Sequence, residues 1–176
     1  MPETRAPRVV VFGYGNTSRG DDAIGPLLLA ELEAARLPGI MTVEDFQLQI
    51  EHALDLVGSD LALFLDAGTG TPAPYAFYEA RPQGVFASST HALLPEAVLA
   101  VFKRIQGIEP PPAFVLCVRG AVFELGAPMS VVATERLEMA RQFVRGLCET
   151  PQAERWRERV TGTSLSAQDA STDSGA

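Results

Sequence analysis

Cysteine and histidine are scarce, with two of each in 176 residues. Cys117 and Cys148 lie far apart and lack metal-motif spacing, so neither a cysteine-built metal centre nor a disulfide framework is expected. Buried free thiols in a reducing cytoplasm are the expectation instead. Basic residues are also few. Fourteen Lys and Arg stand against 22 Asp and Glu, a formal charge of −8, which argues against nucleic acid and anionic membrane surfaces as partners. It suits a cation or a basic partner surface. No apolar run reaches the length of a membrane span, and residues 1–8 lack the apolar stretch of a signal peptide. With 47% hydrophobic and 20% charged residues, what remains is a globular composition long enough for one domain with a sizeable core.

Apolar patterning alternates between short runs and helical stripes. Strands are expected at 9–12, 40–46, 61–65 and 113–118, with 75–80 as an edge strand. Helices are expected at 23–36 (Ile24, Leu27, Leu28, Leu32 and Ala35 inward) and at 51–57 (Ala53, Leu54 and Val57 on one side). Two more are expected at 93–105 (Leu94, Val98, Val101 and Phe102) and at 130–149 (Val132, Leu137, Ala140, Phe143, Val144 and Leu147). Ser88, Ser89 and Thr90 are candidate caps for the third of these. The periodicity fades after Pro151. The expected organisation is one three-layer α/β domain over 1–150, followed by a polar, disordered tail over 151–176. Its sheet is twisted and mostly parallel, of about five strands, with helices on both faces and right-handed crossovers.

The most informative stretch is VVVFGYGNTSRGDDAIG at 9–25. A buried strand runs into a glycine-rich loop and then a helix, which places the loop where open α/β sheets bind ligands. Phosphate binding fits poorly: Gly15 and Gly20 have the Walker spacing, but Asp21 occupies the place of the lysine. Ser18 likewise breaks the dinucleotide fingerprint. Either Asp21 or Asp22 caps the following helix and complements its dipole, or Asp22 points into the cleft as a metal or catalytic ligand. Gly25 and Pro26 are poor choices for a helix built for stability alone.

Asp66 ends the third apolar run, where a buried carboxylate needs N–H groups or a cation; an Asx-turn at the strand end is the alternative. His91 directly precedes a helix, a position where most histidines are surface or capping residues, and His52 is read as one of those. Asp22, Asp66 and His91 all stand where a strand or loop runs out. Parallel strand ends lie side by side, so these groups can converge as a two-carboxylate, one-imidazole set with open positions, suited to zinc, nickel or manganese.

The order Gly-x-Gly-Asn-x-x-x-x-Asp-(Asp/Glu)-x-x-Gly, then a strand-ending aspartate and a helix-opening histidine, resembles the hydrogenase maturation proteases. Gly13, Gly15, Asn16, Asp21, Asp22, Ala23, Ile24 and Gly25 carry the first motif, and the likeness extends over 9–147. The resemblance implies an endopeptidase that removes the C-terminal extension of a nickel-iron hydrogenase large-subunit precursor after nickel insertion. It implies Asp22, Asp66 and His91 as the metal-contacting and catalytic positions. The nickel is carried by the precursor, with no tightly bound metal of the protease's own. Two departures stand out. Asp22 replaces the glutamate of many members, and Asp45-Phe46-Gln47-Leu48 replaces Asp-Gly-Gly-Thr, so only Asp45 carries over as a base or positioning acid. A metal-dependent phosphohydrolase or nucleotide-binding enzyme, and a non-enzymatic nickel chaperone, remain as alternatives.

Overall fold

The computed structural model describes residues 4–84 and 93–161. Val9–Tyr14 (β1) is buried along its whole length, as a β-branched run at the centre of a covered sheet should be. It is followed by a 3-10 turn at Gly20–Ala23, Ile24–Ala35 (α1), Ile40–Asp45 (β2), a second 3-10 turn at Ile50–Leu56, Leu61–Gly68 (β3) and Tyr75–Ala80 (β4). Pro95–Gln106 (α2), Ala113–Arg119 (β5), Val131–Glu149 (α3) and Ala153–Arg157 (α4) complete the described elements. The five strands form one sheet in the order β2-β1-β3-β5-β4. All neighbours are parallel except β4, which pairs antiparallel to β5 as an edge strand.

Alternation along each strand divides the core in two. Val9, Val11, Leu63, Leu65, Leu116 and Val118 pack with the apolar faces of α1 and α3. Val10, Phe12, Phe64 and Val115 pack on the other side with α2 and the second 3-10 turn. This is the three-layer α/β domain that the sequence predicts. From β1 the chain goes through α1 to β2 on one side, and β3 then returns to the other side of β1. The crevice beyond the ends of β1 and β3 is therefore the topological switch point, where such folds bind ligands.

Several helical faces differ from expectation. In α1, Leu29 is buried and Leu27 is 41% exposed. The segment at 51–57 is a 3-10 turn with a three-residue repeat, so Ala53 and Leu56 share the inner face while Leu54 and Val57 point outward. Leu94 and Val132 are likewise outside the buried stripes of α2 and α3.

The domain does not stop at residue 150. α4 sets Trp156 into the core beside Phe114, with its indole N–H donating to the Leu147 and Thr150 carbonyl oxygens. Thr161 then exchanges hydrogen bonds with the Phe77 backbone. The region 151–161 thus belongs to the fold, because a single large aromatic anchors it where a five-residue helix has no room for an apolar stripe. The rest of the expected tail, 162–176, lies outside the described residues. Cys117 and Cys148 are both buried and free, and no described helix is long and apolar enough to cross a membrane.

Candidate active site at the carboxyl rim of the sheet

Beyond β1 the chain turns sharply. Gly15 has φ +149°, and a side chain there would run into the Asp22 carbonyl oxygen, so only glycine fits. The Gly15 N–H donates to the Asp45 carbonyl oxygen at 3.1 Å, tying the loop to the end of β2. Asn16 Oδ1 accepts the Ser18 N–H at 2.9 Å in an Asx-turn. Gly25 has a different purpose. A Cβ there would stand 2.6 Å from the Tyr14 carbonyl oxygen and 2.8 Å from that of Leu65. Its absence lets the first turn of α1 rest on the ends of β1 and β3, which explains a residue that helix propensity disfavours.

The two adjacent acids have separate tasks, and neither side chain caps α1. Asp21 is fully buried. Its carboxylate accepts the N–H groups of Ala121 (2.6 Å), Val122 (2.9 Å) and Ser130 (2.8 Å) and the Ser130 hydroxyl (2.8 Å). Burial alone would raise its pKa, but these donors outweigh it and hold the group below the ordinary carboxylate value. Ser130 in turn caps α3 by accepting the Ala133 N–H. Asp21 is therefore a structural clamp between the glycine loop and the segment after β5. Asp22 turns the other way, and its Oδ2 accepts the Asn16 N–H at 2.6 Å. That leaves it half-buried beside the switch point.

Asp66 Oδ1 accepts its own following N–H, from Ala67, at 2.7 Å. The strand does not end there: β3 continues to Gly68 against β5, whereas β1 stops at Tyr14. Asp66 thus faces the place where the β1 ladder has run out. Burial pushes its carboxyl up to about 7. The Ala67 N–H and the Tyr14 hydroxyl favour the ionised form, while the nearby Asp22 charge opposes it. Asp22 and Asp66 are therefore electrostatic neighbours.

Asp45 ends β2 as the register partner of Tyr14. Its Oδ1 accepts the Phe46 N–H at 2.7 Å, and its Oδ2 lies 3.2 Å from Nε2 of His52. His91, the third expected ligand, lies outside the described residues, as do Ser88, Ser89 and Thr90. Among the described residues no group of three or more His, Cys, Asp and Glu side chains is arranged to hold a metal.

Three residues at the rim escape a reading of the sequence alone. Tyr14 follows the Gly13–Leu65 pair and so lies beside Asp66 on one sheet face, with Asp45 on its other flank. Its hydroxyl is buried, influences Asp66 and meets no acceptor at hydrogen-bonding geometry among the described residues. Cys117 pairs with Asp66 in the β3–β5 ladder, its Sγ 3.0 Å from the Thr71 hydroxyl. Burial, reinforced by Asp66, pushes that thiol up to about 12, and burial does the same to Cys148. Neither is a poised thiolate nucleophile. His52, read as a surface or capping residue, does cap the turn at Ile50–Leu56 but is buried. Strand parity would have pointed to Tyr14, two residues beyond Phe12, once the register was known.

Comparison with known proteins adds to this geometry. No protein-family model matches the chain, and no curated protein matches it. Solved structures do. A [NiFe] hydrogenase maturation protease, HycI from Thermococcus kodakarensis KOD1, superposes with a TM-score of 0.64 at 23% identity, covering 81% of this chain and 93% of its own. The hydrogenase maturating endopeptidase HybD from E. coli gives 0.63 at 22% identity over the same shares. HybD from Thermococcus kodakarensis, a [NiFe] hydrogenase maturation protease, gives 0.59 at 15% identity, covering 80% of this chain and 99% of its own. The chain has the fold of these solved hydrogenase maturation proteases.

Proposed function

We propose that this protein is an endopeptidase that removes the C-terminal extension of a nickel-iron hydrogenase large-subunit precursor after nickel insertion. What supports the reading is a buried Asp66 at the switch point, on which the Asp22 charge acts, in a fold shared with hydrogenase maturation proteases. A carboxyl that burial raises to about 7, with the Asp22 charge adding to the effect, forms a place where a divalent cation is welcome. The cation belongs to the substrate: it is the nickel that the precursor already carries.

In this reading Asp22 and Asp66 contact that nickel, with His91 as the third contact by sequence. Two carboxylates and an imidazole hold nickel less firmly than the thiolates of a precursor, so the protease inspects the metal without removing it. The same contact makes the nickel available as a Lewis acid near the scissile carbonyl. Asp45 serves as the base or positioning acid on the β2 side. The setting is the cytoplasm, where the buried free thiols of Cys117 and Cys148 persist.

Mass spectrometry of the hydrogenase large subunit from cells lacking this protein tests the reading. A subunit that keeps its C-terminal extension, and loses it when the gene is restored, supports it. A subunit of mature length in the deletion strain contradicts it.

A further inference from the structure

His52 is one of two histidines in the chain, and its surroundings are more constrained than a capping role requires. The 3-10 turn at Ile50–Leu56 opens with a capping box in which the third position is His52 in place of the usual Glu or Gln. The Gln49 N–H donates to His52 Nδ1 at 2.8 Å. An Nδ1 that accepts carries no proton, so the neutral ring has its proton on Nε2. That nitrogen lies 3.2 Å from Asp45 Oδ2. The ring is buried and rests edge-on against Phe12, with centroids 5.8 Å apart. Backbone, aromatic packing and tautomer therefore all aim one N–H at Asp45.

Asp45 is held from both sides, by Phe46 N–H on Oδ1 and by His52 on Oδ2, yet each oxygen retains a lone pair. The residue lines a cavity of ≈ 320 Å³ together with Gly15, Thr17, Glu44 and Phe46. Phe46 is 71% exposed at its edge. A fixed acceptor beside an exposed aromatic and a glycine backbone is the equipment for seating a peptide.

We propose that His52 is a positioning residue: it fixes the Asp45 carboxylate at the cavity beside the glycine loop, where Asp45 accepts a hydrogen bond from the precursor peptide. This rests on the protease reading and extends it to a residue that acts only through another. A glutamine at position 52 preserves the capping box and offers an amide N–H in place of Nε2–H; phenylalanine preserves the packing and offers neither.

The experiment measures cleavage of nickel-loaded precursor by wild type, H52F, H52Q and D45A, and by the double variants H52F/D45A and H52Q/D45A. H52F is expected to lower the rate roughly 10- to 100-fold, the scale of a misplaced acceptor, and H52Q to recover most of it. In the D45A background neither substitution at 52 should cost more than about twofold, because coupled residues are not additive. Equal losses from H52F in both backgrounds, or an H52Q no better than H52F, overturn the proposal. If H52F does not fold, the comparison of H52Q and H52Q/D45A with D45A decides by the same criteria. A wild type that cleaves no precursor overturns the protease reading and this role together; active wild type with additive losses overturns this role alone.

Discussion

Tyr14, the last residue of β1, stands beside Asp66 of β3, and its hydroxyl is buried. Burial raises the tyrosine well above its ordinary value, with the Asp66 charge adding to the effect. The two groups thus share a low-dielectric corner in which negative charge is costly.

The stability cost of Asp66 has a definite sign. Its pKa is about 7 in the fold against about 3.9 in an unfolded chain. Between these values the folded state binds more protons, so this group makes stability fall as pH rises from about 4 to about 7. D66N should flatten that slope and raise Tm at pH 8, by about 2–4 °C for each kcal/mol relieved. The same variant, like D22A, should abolish precursor cleavage with an unchanged circular dichroism spectrum. A D66N protein that melts lower than wild type at pH 8 contradicts the burial argument.

Asp21 behaves in the opposite sense. Its folded pKa lies below the ordinary carboxylate value, so its contribution is present above about pH 4 and is lost as pH falls through the folded pKa. D21A would leave the N–H groups of Ala121, Val122 and Ser130 without their acceptor. A destabilisation of about 3 kcal/mol or more is expected, measurable by urea unfolding at pH 7. At pH 3 the gap between wild type and variant should narrow.

The contrast between these neighbours shows how far local sequence reaches. The glycine loop and the two acids were legible because their spacing is local and the loop has few ways to turn. What holds Asp21 in the interior was not, since its donors come from residues 121, 122 and 130. The capping part of the His52 reading holds, but its burial against Phe12 and its approach to Asp45 depend on packing between distant segments that local sequence does not show. Tyr14 needed the strand register, which no single strand contains.

Gly25 allows α1 to approach the sheet. G25A should cost about 1–3 kcal/mol by crowding the Tyr14 and Leu65 carbonyls. It should also slow cleavage, because Asp22 lies in the 3-10 turn that leads directly into the displaced helix. A variant with wild-type Tm and rate would show that this close approach is dispensable.

Trp156 is the anchor that patterning missed. W156A should cost about 3–5 kcal/mol, and a chain cut after residue 150 should lose cooperative unfolding. Calorimetry checks both; a truncated chain that melts like wild type contradicts the extension of the fold to residue 161.

The most direct test of nickel-dependent cleavage at Asp22 and Asp66 uses purified protein with nickel-loaded and nickel-free hydrogenase large-subunit precursor, read by intact mass. The loaded precursor should be shortened at one bond and the nickel-free precursor left whole. Equal cleavage of the two forms, or cleavage of neither, would contradict it.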